Sequence, residues 1–338
     1  RQMCIRDRSN LNKLLIANRG EIAIRITRAA QELGLTAVAI YPEDDAQSLH
    51  VRLADEAVLL DGRGASAYLD IAQVVQLAKD AGCDGVHPGY GFLSENANFA
   101  AAVEAANMTF IGPSVAALDA FGDKAKARAL AQACDVPVVA GLSEAISIEQ
   151  AQAFFAAHAD SGILLKAIAG GGGRGMRIVR SADELVDAFT RCQSEALAAF
   201  GNDGLYAEQL VASPRHIEVQ IIGDGSGAVS HIWERECSLQ RRHQKLVEIA
   251  PSPTLDPSIR DAMCAAAVRL GQEINYAGLG TIEFLLDTHA NEFFFIEANA
   301  RLQVEHTVTE EVTGIDLVRA QIEVCLLYTS DAADDGLS

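Results

Sequence analysis

From Lys13 onward, apolar and polar positions alternate in blocks that read as strand followed by helix. Residues 14–17 form a short apolar run of the kind that builds a buried strand. After Asn18, Arg19, Gly20 and Glu21, the positions Ile22, Ile26, Ala29, Ala30 and Leu33 share one helical face, and Gly34 supplies a stop. Residues 36–41 and 56–60 are the next strands. Ile71, Val74, Val75 and Ala78 mark a second amphipathic helix ended by Gly82, and residues 83–86 and 108–111 complete a parallel sheet. The pattern predicts a Rossmann-like α/β domain over residues 9–113.

The pattern then changes. Residues 114–137 predict a helical connector containing Gly122, Asp123 and Lys124. Residues 138–206 predict a small domain in which helices flank a hairpin, 162–168 and 176–179, joined by a glycine tract. Residues 207–324 predict a larger α+β domain, with strands near 216–222, 229–235, 280–286 and 293–299 and a helix over 257–273. No internal repeat or low-complexity tract is visible.

Composition narrows the function. The chain has 338 residues, 49% of them apolar, and a formal charge of −19. That is enough apolar material for two to three packed units and too much for a disordered polyelectrolyte. No stretch has the roughly 20 apolar residues needed to span a bilayer, and the first eight residues contain no secretory core. An acidic chain repels nucleic acid, so any anionic substrate needs a local basic site. Seven cysteines stand singly with no C-x-x-C, which argues against a zinc cluster or disulfide framework and for free thiols in a reducing cytoplasm. The first strand–helix turn has one glycine where a dinucleotide fingerprint has three, and Glu21 would oppose a pyrophosphate.

Three groups of residues carry chemistry. The tract Gly170, Gly171, Gly172, Gly173, Arg174 and Gly175 lies between two apolar strands and lacks the ending of a P-loop. Backbone without side chains can still close over phosphates, with Lys166 and Arg174 supplying charge; a floppy hairpin tip is the alternative. In residues 281–287 and 293–299, strand periodicity places odd positions on one face. With 288–292 as the loop, Glu283 opposes Glu297, a repulsive pair unless a hard divalent cation, Mg²⁺ or Mn²⁺, sits between them. Asn299 shares their face. Arg301, Gln303 and Glu305 continue the parity and suit an oxyanion and a proton. The dense polar run 234–245 is either an ordinary surface loop or the basic site that an acidic chain requires.

Together these motifs resemble the biotin carboxylase component of biotin-dependent carboxylases, in the ATP-grasp superfamily. The resemblance spans residues 11–324. It rests on the runs 16–22, 87–96 and 110–113, Lys166 with the glycine tract, 240–245, and 297–306. It implies an ATP-dependent ligase in which bicarbonate is phosphorylated to carboxyphosphate and CO₂ is passed to biotin on a carrier domain. It further implies that Lys124, Lys166 and residues 170–175 grip ATP phosphates. Glu208, Gln209, Val211, His216, Gln240, His243 and Leu285 would line the nucleotide pocket, Gln209 standing where the family often has Lys. Glu283 and Glu297, with Asn299 nearby, would hold the metal. Lys245, Arg301, Gln303 and Val304 would hold bicarbonate or carboxyphosphate, and Glu305 would be the base. The implied partners are a biotin carboxyl carrier domain, a carboxyltransferase and a second copy of the chain.

Residues 1–8 and 325–338 continue neither pattern and resemble translated adapter sequence, so they are taken as non-native tails. The family's large domain continues past the point matching residue 324 and includes a further arginine. An incomplete large domain with weak or no turnover is therefore the expectation. A carboxyphosphate-forming ligase of the carbamoyl phosphate synthase type, or an inactive Mg-ATP-binding fragment, are the alternatives.

Overall fold

The computed structural model describes residues 11–142, 144–168, 175–241 and 244–334, with side chains in the last helix described to Cys325. The first unit comprises β1 (Lys13–Ile16), α1 (Gly20–Glu32), β2 (Thr36–Pro42), α2 (Leu49–Leu53), β3 (Glu56–Leu60), α3 (Ile71–Asp80), β4 (Gly85–His87), α4 (Ala97–Ala105) and β5 (Thr109–Phe110). The five strands are parallel in the order β3-β2-β1-β4-β5. Continuous apolar runs such as Leu14, Leu15 and Ile16, each fully buried, suit a sheet covered on both faces. Helix α3 starts where the Asp70 carboxylate accepts the Gln73 N–H, and Gly82 follows it at φ +66°.

In doubly wound sheets, ligands enter where strand order reverses, here between the C-terminal ends of β1 and β4. That crevice is filled by protein. The Asn18 amide donates to the carbonyls of Pro88 and Tyr90 at 2.7 and 2.8 Å. Gly89 is required there, since a Cβ would lie 2.9 Å from Asn18 Nδ2 and the backbone is at φ +65°.

Two connector helices follow, α5 (Val115–Gly122) and α6 (Lys124–Ala133). Asp123 separates them and caps α6, accepting the N–H groups of Ala125 and Lys126, so Lys124 is fixed at a helix start. The small unit contains β6 (Gly141–Leu142), α7 (Ile148–Ala157), β7 (Ile163–Ala167), β8 (Met176–Val179), α8 (Ala182–Phe200) and β9 (Leu205–Gln209), with sheet order β6-β9-β7-β8. This sheet runs to Gln209, three residues beyond the boundary drawn from sequence.

The last unit has β10 (Arg215–Asp224), β11 (Val229–Arg241), β12 (Gln244–Ile249), α9 (Pro257–Glu273), β13 (Ala277–Asp287), β14 (Glu292–Asn299), α10 (His306–Thr313) and α11 (Leu317–Asp334). Its sheet is antiparallel, in the order β12-β11-β10-β13-β14. One face carries Ile217, Val219, Ile282, Phe284, Leu286 and Phe295, buried together with Met263 and Ala267 of α9. Helix α11 joins the units: Leu317, Val318 and Ile322 pack with Leu14, Ile26 and Ile111 of the first domain and with Leu279 of β13. It continues across residue 325 to Asp334, and Cys325 is buried in the same cluster.

Candidate active site

The polar face of the last sheet is built by strand register. His216 pairs with Leu285, Glu218 with Glu283, Gln220 with Thr281, and Glu218 also with Arg235. Paired residues of antiparallel strands project to the same side, so these side chains collect over one surface. In the sequence this is an alternation of polar His216, Glu218 and Gln220 with apolar Ile217, Val219 and Ile221.

Glu283 and Glu297 are register partners, as the parity argument required. The hairpin differs in detail. Asp287 pairs with Glu292, which leaves a loop of 288–291, and the register shifts by one between Phe295 and Glu297. Ile296 is therefore an extra residue in β14. Phe293 and Phe295 pair with Leu286 and Phe284 on the core side, whereas Glu297 and Asn299 share the side of Glu283. The expectation that all odd positions of 293–299 share a face is corrected by this bulge.

The two carboxyls stand in opposite electrostatic conditions. Burial pushes the Glu283 carboxyl up, but His216 at 2.7 Å and Lys245 at 3.0 Å outweigh it and hold the group well below the usual carboxylate range. Burial and the Glu283 charge push Glu297 up, with Lys124, His216 and Lys166 opposing. Two facing carboxyls whose charges oppose each other are a donor set that a hard divalent cation satisfies. Asn299 does not turn its oxygen to this pair. Its amide nitrogen donates to Glu283 Oε1 at 2.9 Å, and its oxygen accepts from Arg301 Nη2 at 2.7 Å.

Beyond Asn299 the strand ends, yet the chain still delivers polar groups to the same surface. Gln303 donates to Glu283 Oε1 at 2.9 Å, and Glu305, at the start of α10, lies 2.5 Å from Lys245 Nζ. Lys245 also contacts Glu218 at 2.6 Å. Three carboxylates around one ammonium raise the Lys245 pKa despite its burial. For Glu305, burial pushes up and Lys245 prevails, leaving the carboxyl ionised and able to take a proton. Arg301 donates through Nε to Glu95 at 2.7 Å. Val304 is exposed.

Beneath these groups lies Arg235, fully buried. It donates to Glu218, Gln220, Thr309, Thr281 and Gln303 at 2.5 to 3.2 Å, one bond for each of its five N–H groups. The run 234–245 is thus neither a surface loop nor a simple basic patch. Residues 234–241 belong to strand β11 and 244–245 open β12, with Glu234, Arg235, Glu236 and Cys237 buried. Its buried carboxylates are matched within the fold: Glu234 to Arg260 and Glu236 to Arg215.

The expected nucleotide residues divide between this surface and the small domain. His216, Gln240 and Leu285 stand on the large sheet, with Gln240 Nε2 2.8 Å from His216 Nδ1. Lys166 on β7 pairs with Glu208 on β9, which Arg128 approaches at 3.6 Å. Gln209 ends β9, its N–H bound to Ala140, and Val211 follows. A cavity of about 710 Å³ is bordered by Lys124, Arg128, Tyr206, Glu208, Phe295 and Ile296, so it separates Lys124 from the Lys166–Glu208 pair. Gly170, Gly171, Gly172, Gly173, Arg174 and His243 lie outside the described residues; Gly175, at φ +68°, leaves no room for a Cβ against Ala167. Sequence reasoning missed Glu95, Glu218 and Arg235. Only Glu218 had a signal, its place in the β10 alternation.

Comparison with known proteins agrees with this geometry. The family model described as the biotin carboxylase N-terminal domain matches residues 10–118, and the ATP binding domain of the carbamoyl-phosphate synthase L chain matches residues 123–332. Mitochondrial pyruvate carboxylase of Rattus norvegicus is 52% identical over 318 residues, as is Bacillus subtilis pyruvate carboxylase over 319. Each alignment covers 93% of this chain and 27% of the relative, so the chain spans about a quarter of those proteins. A Campylobacter jejuni biotin carboxylase structure superposes with a TM-score of 0.88 at 44% identity, covering 93% of this chain and 70% of that one. The biotin carboxylase domain of Hydrogenobacter thermophilus 2-oxoglutarate carboxylase, solved with MgADP, ADP and bicarbonate, gives 0.88 and 44%, covering 93% and 69%. With both halves matched in order and the parallel, small and antiparallel sheets of an ATP-grasp protein in place, the chain belongs to the biotin carboxylase family.

Proposed function

We propose that this chain carries out the first half-reaction of a biotin-dependent carboxylase. ATP phosphorylates bicarbonate to carboxyphosphate, and the CO₂ it releases carboxylates N1′ of biotin on a carrier domain. The observation that carries this reading is the convergence of Lys245, Gln303 and Glu305 on the Glu283 surface, with Arg301 tied to it through Asn299. Glu305, ionised beside Lys245, takes the bicarbonate proton as a bicarbonate oxygen attacks the γ-phosphorus and ADP leaves. Lys245 and Arg301 hold the anion with Gln303 and the backbone at Val304. Lys124, Lys166 and the tract 170–175 hold the phosphates, and Glu208, Gln209, Val211, His216, Gln240, His243 and Leu285 line the nucleotide pocket. Glu283 and Glu297, with Asn299 beside them, hold Mg²⁺ or Mn²⁺, which supplies charge neutralisation at the phosphates.

The chain would work with a biotin carboxyl carrier domain and a carboxyltransferase, as a cytoplasmic protein able to pair with a second copy. Among the described residues no helix is long and apolar enough to cross a membrane. The final acceptor is set elsewhere: relatives named for pyruvate, 2-oxoglutarate and long-chain acyl-CoA share this region.

Bicarbonate-dependent ATP hydrolysis, stimulated by free biotin and lost in Glu305→Ala, is the expected result. Ammonia-dependent product formation without response to biotin would instead place the chain with carbamoyl phosphate synthases.

A further inference from the structure

The run 87–96 is one of the longest motifs in the sequence, yet none of its residues has a role in the reaction described above. Its Glu95 reaches out of the first domain to the start of the 300–305 segment. Glu95 Oε2 accepts from Arg301 Nε at 2.7 Å, and Oε1 accepts from the Ala300 N–H at 3.2 Å. One carboxylate therefore holds both the backbone that precedes Arg301 and the guanidinium itself. Arg301 Nη2 is held from the other side by Asn299 Oδ1 at 2.7 Å, and Nη1 reaches the Leu302 carbonyl at 3.3 Å.

We propose that Glu95 is a positioning residue for bicarbonate: it locks the Arg301 guanidinium so that its remaining N–H groups form a preset fork for the anion. The inference rests on the proposed function for the identity of that anion. A guanidinium has five N–H groups, and Glu95, Asn299 and Leu302 engage three. Among the described residues, one N–H on each η nitrogen has no protein acceptor, which leaves two donors for a planar oxyanion such as bicarbonate. An arginine side chain left free would lose rotamer entropy on binding the anion; fixed in advance, it does not. The clamp also makes the site depend on the first domain.

The sign of the effect separates positioning from simple charge. Glu95 is an anion near an anion site, so by Coulomb's law alone its neutralisation should tighten bicarbonate binding. Positioning demands the reverse. The experiment is titration of ¹³C-bicarbonate into the full chain with MgADP, followed by ¹³C line width, for wild type, Glu95→Gln, Arg301→Lys and the double variant. Melting temperatures are recorded alongside. The expected result is about tenfold weaker binding for Glu95→Gln at little changed melting temperature, with the double variant no weaker than Arg301→Lys. Unchanged or tighter binding in Glu95→Gln overturns the proposal, as does an additional loss in the double variant. Absence of bicarbonate binding to wild type overturns the proposed function along with it, whereas binding to wild type with no effect at Glu95 overturns only this inference.

Discussion

Lys245 Nζ lies 2.5 Å from Glu305 Oε1, and the same ammonium touches Glu218 and Glu283. Glu305 is thereby ionised but weakly basic. An anion that drew Lys245 toward itself would leave Glu305 more basic when a proton has to be taken. Glu305→Gln keeps the shape and removes the proposed base. Its bicarbonate-dependent ATP hydrolysis should fall by about 10²-fold or more, while MgADP binding measured by calorimetry stays within about threefold.

The Glu283–Glu297 pair predicts a cation-linked stability. Mg²⁺ or Mn²⁺ should raise the melting temperature in proportion to the logarithm of its concentration. Glu297→Gln removes the repulsion with Glu283. Without metal it should melt at or above the wild type, and it should lose most of the metal-induced increase. A metal response equal to that of the wild type would move the cation elsewhere.

Arg235 shows what a fully buried charge demands. Arg235→Met leaves Glu218 with Lys245 as its remaining cationic partner and leaves Gln220, Thr281, Gln303 and Thr309 without their donor. Urea unfolding should report a loss of about 3–5 kcal/mol, because four buried acceptors lose their donor and the buried Glu218 carboxylate loses one of its two cations. Adding Glu218→Gln to this variant should restore part of that loss, a non-additivity that reveals the pair.

His87, fully buried at the end of β4, is depressed to about 3 by burial, with the Arg25 charge adding to the effect. Its Nδ1 accepts the Gly89 N–H at 3.0 Å, so the native ring carries its single proton on Nε2. In the unfolded chain the ring ionises near the ordinary imidazole value of 6.5. Between those values the unfolded state binds the extra proton, so stability falls as pH drops through 6.5 and continues to fall toward 3. This one group contributes a slope of up to about 1.4 kcal/mol per pH unit. His87→Gln should be less stable at pH 8 yet show a shallower decline between pH 6.5 and 4.5 in thermal melts.

The parts legible in the sequence were those with a strong period. Residues 22, 26, 29, 30 and 33 place α1 (Gly20–Glu32), and the helix over 257–273 stands at those residues. The opposition of Glu283 to Glu297 holds because a loop one residue shorter than 288–292 and the extra residue in β14 cancel. What escaped was polar and internal. The segment 234–236 reads either as surface loop or as basic site because its residues are charged, yet Arg260, Glu218 and Arg215 pair with them from distant elements and they are buried. Glu95 could not be placed either, since its partners Ala300 and Arg301 lie more than 200 residues away. Pairings of that kind are tertiary facts with no local period.

The bulge at Ile296 makes β14 two half-strands in opposite phase. Its first half faces Phe293 and Phe295 to the hydrophobic core, and its second half faces Glu297 and Asn299 to the reaction surface. Side-chain identity at 296 can therefore vary more freely than its presence. Deleting that residue would keep every hydrogen-bonding backbone group of the hairpin available, yet rotate either two phenyl rings out of the core or two polar side chains into it. In an alignment of relatives, this hairpin should tolerate substitution far better than a change in length: what the strand conserves is a count.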